Sequence, residues 1–347
     1  MSQIKILGFA VKLIIFVMLL TIGCTRPAEK PAQTDAEPQK TAAAGTDEQK
    51  STVKLALKFA PGDSTAYRVI TENDKSVEWE SPDSEKPRGF TGGHTGNKTE
   101  ITFMQQIQST DDKGNAVAKI TIKQLKYLTI IKNEAVTQFD STIGNDRDNP
   151  LSKMIGQNYT IEITPSGRVL RIIDVNDART AVASGRAGNE IASSLLSDKA
   201  IRQRHTIPTL PDKDKNQLRK GETWSSIESF SFDMMGSKSY EKIYTLEEIK
   251  DVDNHRIAIA RMNAVPSAED AKKLHEEQSA SLFANMSDNT QTYTGELRLD
   301  LANGKIEECR EKLISEWVIV NPNPKEDEPP AVLKMAAVRS YSIEKID

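Results

Sequence analysis

Hydrophobic and polar residues alternate along most of the chain after residue 52. Alternating or β-branched runs, bounded by turn-forming residues, lie at 53–59, 65–73, 98–110, 115–131, 158–163 and 168–174, and similar runs resume after residue 220. Strand side chains point to opposite faces of a sheet in turn, so a period of two indicates strands with one buried face. Turns such as Asp112-Lys113-Gly114-Asn115 separate the runs. The pattern predicts antiparallel strands.

Two stretches interrupt this alternation with helical spacing. Residues 177–204 contain Gly185 and Gly188, which weaken a helix, so two short helices are expected there. The segment 267–286 opens with Ser267 and has Asp270 three residues later, which is typical of a capped amphipathic helix. The predicted fold class is therefore mainly β (α+β), a curved antiparallel sheet or open barrel with helical insertions.

The strands fall into two sets whose landmarks recur in the same order. APGDSTAY at 60–67 resembles RKGETWSS at 219–226, and NYTIEITPSGRVLRI at 158–172 resembles TYTGELRLDLANGKIEEC at 292–309. The longest segment between strands in each set, 140–157 in the first and 267–290 in the second, falls at the same place in the order. We expect a duplicated sheet with one shared core, in which Gly62 corresponds to Gly221 and Gly167 to Gly304. Chance repetition of hairpin signals is the alternative.

The first residues have the features of a bacterial lipoprotein signal. Lys5 and Lys12 give the first residues a positive charge, and an apolar run follows at 13–22. This run is too short to span a bilayer, and it ends at Gly23-Cys24. The segment resembles a lipobox, although Thr21 stands where Leu is usual. Cys24 is the expected lipid acceptor. The alternative is an ordinary signal peptide or uncleaved anchor in which Cys24 is incidental.

Residues 25–52 contain no aromatic residue and almost no branched aliphatic residue, which indicates a disordered tether. The expected organisation is a signal peptide at 1–23, an anchor and tether at 24–52, and a β-rich domain at 53–347. That domain divides into a half at 53–175, a helical connection at 176–206 and a half at 207–347. We expect a lipid anchor in the bacterial cell envelope. By analogy with one sorting system, Thr25 favours the outer membrane, facing the periplasm.

The net charge narrows the classes of molecule that the protein is expected to bind. The formal charge of −4 includes Lys5 and Lys12, so loss of residues 1–23 would leave −6. No basic tract stands out, which argues against nucleic acid as a partner.

Of the two cysteines, Cys309 has no intramolecular disulfide partner if Cys24 carries lipid. Cys309 is expected to be a half-buried strand residue in a fold held together by its core.

Four segments resemble the landmarks of a bacterial envelope family of unknown function: LKFAPGDSTAYRV, FDST at 139–142, GQNYTIEITPSGRVLRI and LPDKDKNQLRKGETW. Members of that family are secreted or lipidated, and the resemblance covers nearly all of residues 53–347. The shared features are Gly-Asp and Gly-Glu turns and a Trp at a strand start. The resemblance implies a β-rich periplasmic or surface domain and carries over no catalytic residue.

The catalytic and metal-binding motifs in the sequence are incomplete. The segment HEEQS at 275–279 lacks the second His of a zinc protease helix, and the loop from Asp212 has Gln217 where a calcium loop needs Gly. We therefore expect no catalytic residue, no metal site and no cofactor. The favoured function is non-enzymatic binding of an apolar ligand or partner, in a cavity lined from alternating strand positions such as Ile120, Ile122, Ile257 and Ile259. A structural or assembly scaffold of the envelope is the alternative, and an enzyme is the third possibility.

Overall fold

The computed structural model describes residues 52–80, 92–144, 148–183, 188–232, 237–253, 255–267, 287–320 and 331–346. The strands are β1 (Val53–Lys54), β2 (Ser64–Glu80), β3 (Gly93–Thr110), β4 (Ala116–Ile131), β5 (Glu134–Asp140), β6 (Asn158–Ile163), β7 (Val169–Asp174), β8 (Gln217–Leu218), β9 (Thr223–Ser231), β10 (Ser237–Val252), β11 (His255–Pro266), β12 (Ser287–Asp300), β13 (Lys305–Val320) and β14 (Val332–Ile346). The helices are α1 (Asn176–Ala183), α2 (Gly188–Leu195) and α3 (Asp198–His205), with 3-10 turns at Pro150–Met154 and Lys213–Lys215. The predicted signal peptide, Cys24, the tether up to residue 51 and residues 268–286 of the helix predicted at 267–286 lie outside the described residues.

One large antiparallel sheet dominates the fold. Its strand order is β7-β6-β4-β3-β2-β14-β13-β12-β11-β10-β9, β5 pairs with β4, and β1 pairs separately with β8. The sheet does not close, and strand accounts for 64% of the structure against 13% for helix, which confirms the mainly β fold class. Among the helices of the described residues, none combines the length and the apolar character needed to cross a membrane.

The two sets of strands repeat one order of neighbours. The first runs β2-β3-β4-β6-β7 and the second β9-β10-β11-β12-β13, each as an antiparallel meander. The last strand, β14, pairs with β2 over 15 residue pairs from Val332–Glu80 to Ile346–Ala66, and so joins the two sets into one sheet. The strand order predicted from the duplicated landmarks is therefore found in both halves.

Backbone hydrogen bonds at the first turn of each half are also repeated. The N–H of Gly62 donates to the carbonyl oxygen of Ile107 at 2.9 Å, and the N–H of Gly221 donates to that of Leu246 at 2.7 Å. Both glycines have positive φ, and a β-bulge follows each acceptor residue in its strand. A bulge bends its strand and increases the local twist, so both halves curve at the same place.

The return turns tie the two halves together. Gly167 accepts a backbone hydrogen bond from Ile207 at 2.8 Å, and Gly304 accepts one from Lys58 at 3.0 Å. Ile207 begins the second half but contacts the first, whereas Lys58 begins the first half but contacts the second. This exchange makes the core continuous from one half to the other, and the described residues between 52 and 346 form one compact unit.

The described residues of the connection between the halves, 176–183 and 188–206, form three helices rather than the two expected. The Ser197 side chain accepts a hydrogen bond from the N–H of Ala200 at 3.2 Å and begins a new helix directly after α2. Helix α3 lies on the inner face of the sheet, where the rings of His205 and Phe103 are 4.6 Å apart. The guanidinium of Arg202 donates to the carbonyl oxygen of Val169 at 2.6 Å, so α3 is also fixed to the edge strand β7.

Candidate functional site

A cleft of about 510 Å³ opens between α3 and the inner face of the sheet. Strands β2 and β3 of the first half form one side, strands β9, β12, β13 and β14 form the other, and residues 194–208 cover it. Because the seam between β14 and β2 runs beneath it, the cleft lies where the two halves meet. Volumes of roughly 300–1,000 Å³ are usual for small-molecule sites.

Part of the lining of the cleft is apolar. Val69, Ile101, Leu195 and Leu313, which we call the apolar wall, line it from β2, β3, the end of α2 and β13. The first two are each 2% exposed and Leu313 is 1% exposed, whereas Leu195 is half-buried. Val69, Ile101 and Leu313 project inward because they occupy alternate positions of their strands.

A buried charged cluster lies beneath the cleft, at inward positions of β9, β10, β12 and β13. The ammonium of Lys242 is 2.6 Å from a carboxylate oxygen of Glu228 and 3.3 Å from both oxygens of Glu311. The hydroxyls of Tyr293 and Tyr244 donate to Glu311 at 2.6 and 2.9 Å. Glu311 and Lys242 are buried, while the Glu228 side chain is 38% exposed and reaches the cleft.

Burial and the neighbouring charges set the protonation of this cluster. Burial raises the pKa of Glu311 above its usual value, against the attraction of Lys242. Burial opposes the charge of Lys242, but Glu311 and Glu228 raise its pKa, so the amine stays protonated. Burial and Glu311 also raise the pKa of Tyr244 and Tyr293, which remain hydrogen-bond donors.

A second polar group lies at the end of α3. Arg204 is 5% exposed, and its guanidinium donates to the Tyr159 hydroxyl at 3.0 Å and to the carbonyl oxygen of Leu195 at 2.7 Å. The Tyr159 hydroxyl lies 2.6 Å from Nε2 of His205. Burial and the charge of Arg204 hold the pKa of His205 well below its usual value, so this imidazole is neutral.

Strand β14 brings a further arginine to the same place. The guanidinium of Arg339 lies over the rings of Phe230 and Phe232, at 5.2 and 5.0 Å from their centroids. Tyr341 lies two residues after Arg339 on the same face of β14. Its hydroxyl donates a hydrogen bond to the backbone carbonyl oxygen of Arg204 at 3.2 Å. Arg339 and Arg204 therefore both line the cleft, Arg339 from β14 and Arg204 from the covering segment.

The four isoleucines predicted to line a cavity are not brought together. Ile120 and Ile122 are fully buried in the core on β4, whereas Ile257 and Ile259, although buried, lie outside that core. On β11 the alternate residues, such as Ala260, face the core instead. None of the four isoleucines lines the cleft, so the candidate site moves to other residues.

The charged residues of the site were missed by the sequence analysis, although a local signal exists. In SYEKIYTL, Lys242 alternates with Tyr240 and Tyr244, and in CREKLISEW, Glu311 alternates with Cys309 and Leu313. A charged residue on an otherwise apolar strand face indicates a buried charge that needs a partner. The signal cannot name that partner, because Lys242 and Glu311 are 69 residues apart.

Cys309 differs from its expected state. It is fully buried on β13 rather than half-buried, and its sulfur lies 3.4 Å from the Thr209 hydroxyl. Burial and the neighbouring Glu311 raise the pKa of this thiol to about 12. A protonated, inaccessible thiol is unreactive, so Cys309 belongs to the core.

The sequence matches the profile of a protein family over residues 113–306, and the chain belongs to that family, described as a family of unknown function (DUF6263). No curated protein matches the sequence significantly. Among solved structures, one of lipid–protein interactions in lipovitellin matches with a TM-score of 0.41 and 11% identity, covering 84% of this chain and 26% of that one. DynF, from the dynemicin biosynthesis pathway of Micromonospora chersina, matches with a TM-score of 0.16 and 7% identity over 90% of this chain and 92% of its own. At such TM-scores neither structure supports an argument about this chain.

Proposed function

We propose that this protein is a lipid-anchored binding protein of the bacterial cell envelope, and that its cleft takes an apolar ligand. The observation that carries the proposal is the cleft of about 510 Å³ between the two halves, whose lining includes both the apolar wall and hydrogen-bonding groups. This combination is usual for small-molecule sites, in which apolar surface supplies most of the affinity and a few polar groups fix orientation. The lipobox-like sequence before Cys24 supports the anchor.

Binding in the cleft is tested by blocking it. We expect an environment-sensitive apolar dye to bind the native protein saturably, and the variant Thr71→Trp to weaken that binding at least about tenfold, because the half-buried Thr71 lines the cleft. Dye titration followed by fluorescence measures the effect. Mass spectrometry of small molecules that co-purify with the protein would identify the natural ligand.

The matched control is Ile70→Trp, which adds the same side chain one position away on the opposite face of β2. This variant should bind the dye with unchanged affinity, and both variants should unfold cooperatively. If the dye binds only to partly denatured protein, or if the two tryptophan variants bind it equally, the cleft is not a binding site.

The anchor is tested at Cys24. The Cys24→Ser variant should accumulate as unprocessed precursor and lose incorporation of labelled fatty acid, because a hydroxyl is a much poorer nucleophile than a thiolate. The control is Cys309→Ser, which keeps Cys24 and should be labelled as the natural protein is. Undiminished labelling of Cys24→Ser would refute the lipid anchor.

One observation favours the scaffold alternative. Ile227, Ile243 and Val265 lie on adjacent strands of the outer sheet face and are 47%, 36% and 45% exposed. Exposed apolar residues grouped in this way occur at protein interfaces. If blocking the cleft has no effect while polar substitutions here release a bound envelope protein, the scaffold function is the better one.

A further inference from the structure

The two ends of the large sheet differ in how their edges are protected. The sheet ends at β7 on one side and at β9 on the other. At β7, the guanidinium of Arg202 donates to the carbonyl oxygens of Val169 and Leu170 at 2.6 and 3.2 Å, and the register with β6 shifts twice. Covered backbone groups and bulges keep an edge strand from pairing with another chain, so the β7 edge is protected.

Strand β9 has none of these protections within the described part of the chain. Its nine residues, TWSSIESFS, contain no proline, lysine or arginine, and the charge of Glu228 is paired with Lys242. The strand pairs with β10 over nine consecutive residues without a register shift, and no described strand pairs with its other side. An edge of this kind is a template for a further strand.

Backbone groups of β9 point in turn to β10 and to the free edge. On β10, the N–H of Leu246 donates to the carbonyl oxygen of Glu222, next to β9, whereas the carbonyl oxygen of Ser239 accepts from the N–H of Ser267, on the β11 side. Even-numbered residues of β10 therefore bond to β9, and their partners in β9 are also even-numbered. The odd-numbered residues of β9 direct their N–H and carbonyl groups outward; they are Thr223, Ser225, Ile227, Ser229 and Ser231.

In the first half of the duplication, a strand occupies the corresponding edge. Gly62 and Gly221 hold equivalent turns, so Ala66 of β2 and Ser225 of β9, each four residues further on, correspond. From Ala66 onward, β2 pairs antiparallel with β14 over 15 residue pairs. The equivalent side of β9 holds no strand, as far as the chain is described. The repeated architecture therefore leaves a place for one antiparallel strand beside β9.

We propose that a second copy of this chain fills that place, with the two β9 strands antiparallel about a twofold axis at Ile227. A twofold interface joins the same surface of both copies, so that surface must complement itself. The sequence of β9 meets this requirement, because residues at equal distances before and after Ile227 are similar in size or polarity. The facing pairs are Ser226 with Glu228, Ser225 with Ser229, Trp224 with Phe230 and Thr223 with Ser231. Odd-numbered residues face odd-numbered ones, so the outward backbone groups of both strands find partners.

Charge and exposure also favour pairing between identical strands. In this register no two charged residues lie directly opposite each other, and Ile227, which is 47% exposed, packs against the Ile227 of the other copy. The carbonyl oxygen of Ser231 accepts a hydrogen bond from Arg339 of its own chain and keeps a second lone pair for the new strand. None of the five outward-bonding residues lines the cleft, so the dimer does not depend on the proposed binding function.

Sedimentation velocity of the purified full-length protein tests for the dimer. We expect a monomer–dimer equilibrium with a Kd on the order of 10 µM, because a nine-residue strand pair is smaller than a standard interface. Ile227→Lys should weaken the dimer at least about tenfold, since it places like charges opposite each other. The matched control is Ile173→Lys, at a position of β7 that is 48% exposed, and this variant should dimerise as the natural protein does.

Crosslinking with a short bismaleimide tests the register. Cys309 is buried, and the natural protein serves as the blank for both of its cysteines. Ile227→Cys should crosslink to its own copy. Ser225→Cys should not, because the two sites would lie roughly 13 Å apart along the strands. A mixture of Ser225→Cys and Ser229→Cys proteins should crosslink one to the other, since these positions face each other.

Several results would overturn the proposal. One is a natural protein that stays monomeric at tenfold the expected Kd, and another is equal weakening by Ile227→Lys and Ile173→Lys. Crosslinking of Ser225→Cys to itself as efficiently as Ile227→Cys would exclude the register. Cooperative thermal unfolding shows whether Ile227→Lys is folded, and if it is not, the crosslinking results decide.

Discussion

Replacing Lys242 with Met is expected to lower the free energy of unfolding by about 3–5 kcal/mol at pH 8, because it leaves the buried Glu311 carboxylate without its cation. Chemical denaturation followed by tryptophan fluorescence measures the change. A matched control is Lys334→Met, which breaks an exposed pair with Glu80 and should cost about 0–1 kcal/mol. Equal losses in the two variants would contradict a stabilising role for the buried cluster.

The loss in Lys242→Met should depend on pH. Burial raises the pKa of Glu311 in the folded protein, and removal of Lys242 takes away the attraction that opposes this effect. A carboxyl whose folded pKa is raised contributes stability at low pH that is lost as the pH rises through that pKa. The variant should therefore recover part of its stability between pH 8 and pH 5, and the double variant Lys242→Met, Glu311→Gln should be more stable than Lys242→Met at pH 8.

Replacing Gly304 with Ala should lower the free energy of unfolding by about 2–5 kcal/mol, since it adds left-handed backbone strain to a steric clash. Gly304 has a φ of +60°, and a Cβ atom there would overlap the backbone nitrogen of Lys58. The change also threatens the hydrogen bond from Lys58 to Gly304, which joins the two halves. Thermal unfolding and equilibrium denaturation both report the effect.

The duplication offers matched comparisons for this variant. Gly167, with a φ of +76°, holds the equivalent place in the first half, where a Cβ would lie 2.7 Å from that of Ile207, so Gly167→Ala should cost a similar amount. Gly62 and Gly221 also have positive φ, but a Cβ atom at either would meet no other atom within 4 Å. Alanine there should cost only about 1–2 kcal/mol. If Gly304→Ala is as mild as Gly221→Ala, the return turns do not hold the halves together.

Much of the architecture could be predicted from local sequence. Alternation marked most of the long strands, and turn residues such as Gly62 and Gly167 marked their ends, because both signals depend on neighbouring positions of one segment. The repeated landmarks also predicted one strand order for both halves. Helices α1, α2 and α3 lie where helical spacing interrupts the alternation, but the separate start of α3 depends on capping by Ser197, which the spacing of apolar residues does not reveal.

The inward face of β11 depended on packing. The segment HRIAIARMNA is apolar at every position from Ile257 to Ala260, so alternation alone does not determine which residues face inward. In the sheet, Ala260 lies between Leu246 of β10 and Leu297 of β12. The small residues face the core there because their large neighbours on the adjacent strands already fill the available volume.

The sequence by itself determined the fold class and the order of strands in the two halves, because both depend on short-range periodicity and composition. Only the tertiary structure decided which charges are buried and where the cleft lies. Lys242 meets Glu311 across 69 residues, and the apolar wall combines β2, β3 and β13 with the end of α2. Such groups are brought together by the pairing of β14 with β2 and by the bending of the sheet at its bulges, and both require the whole chain to have folded.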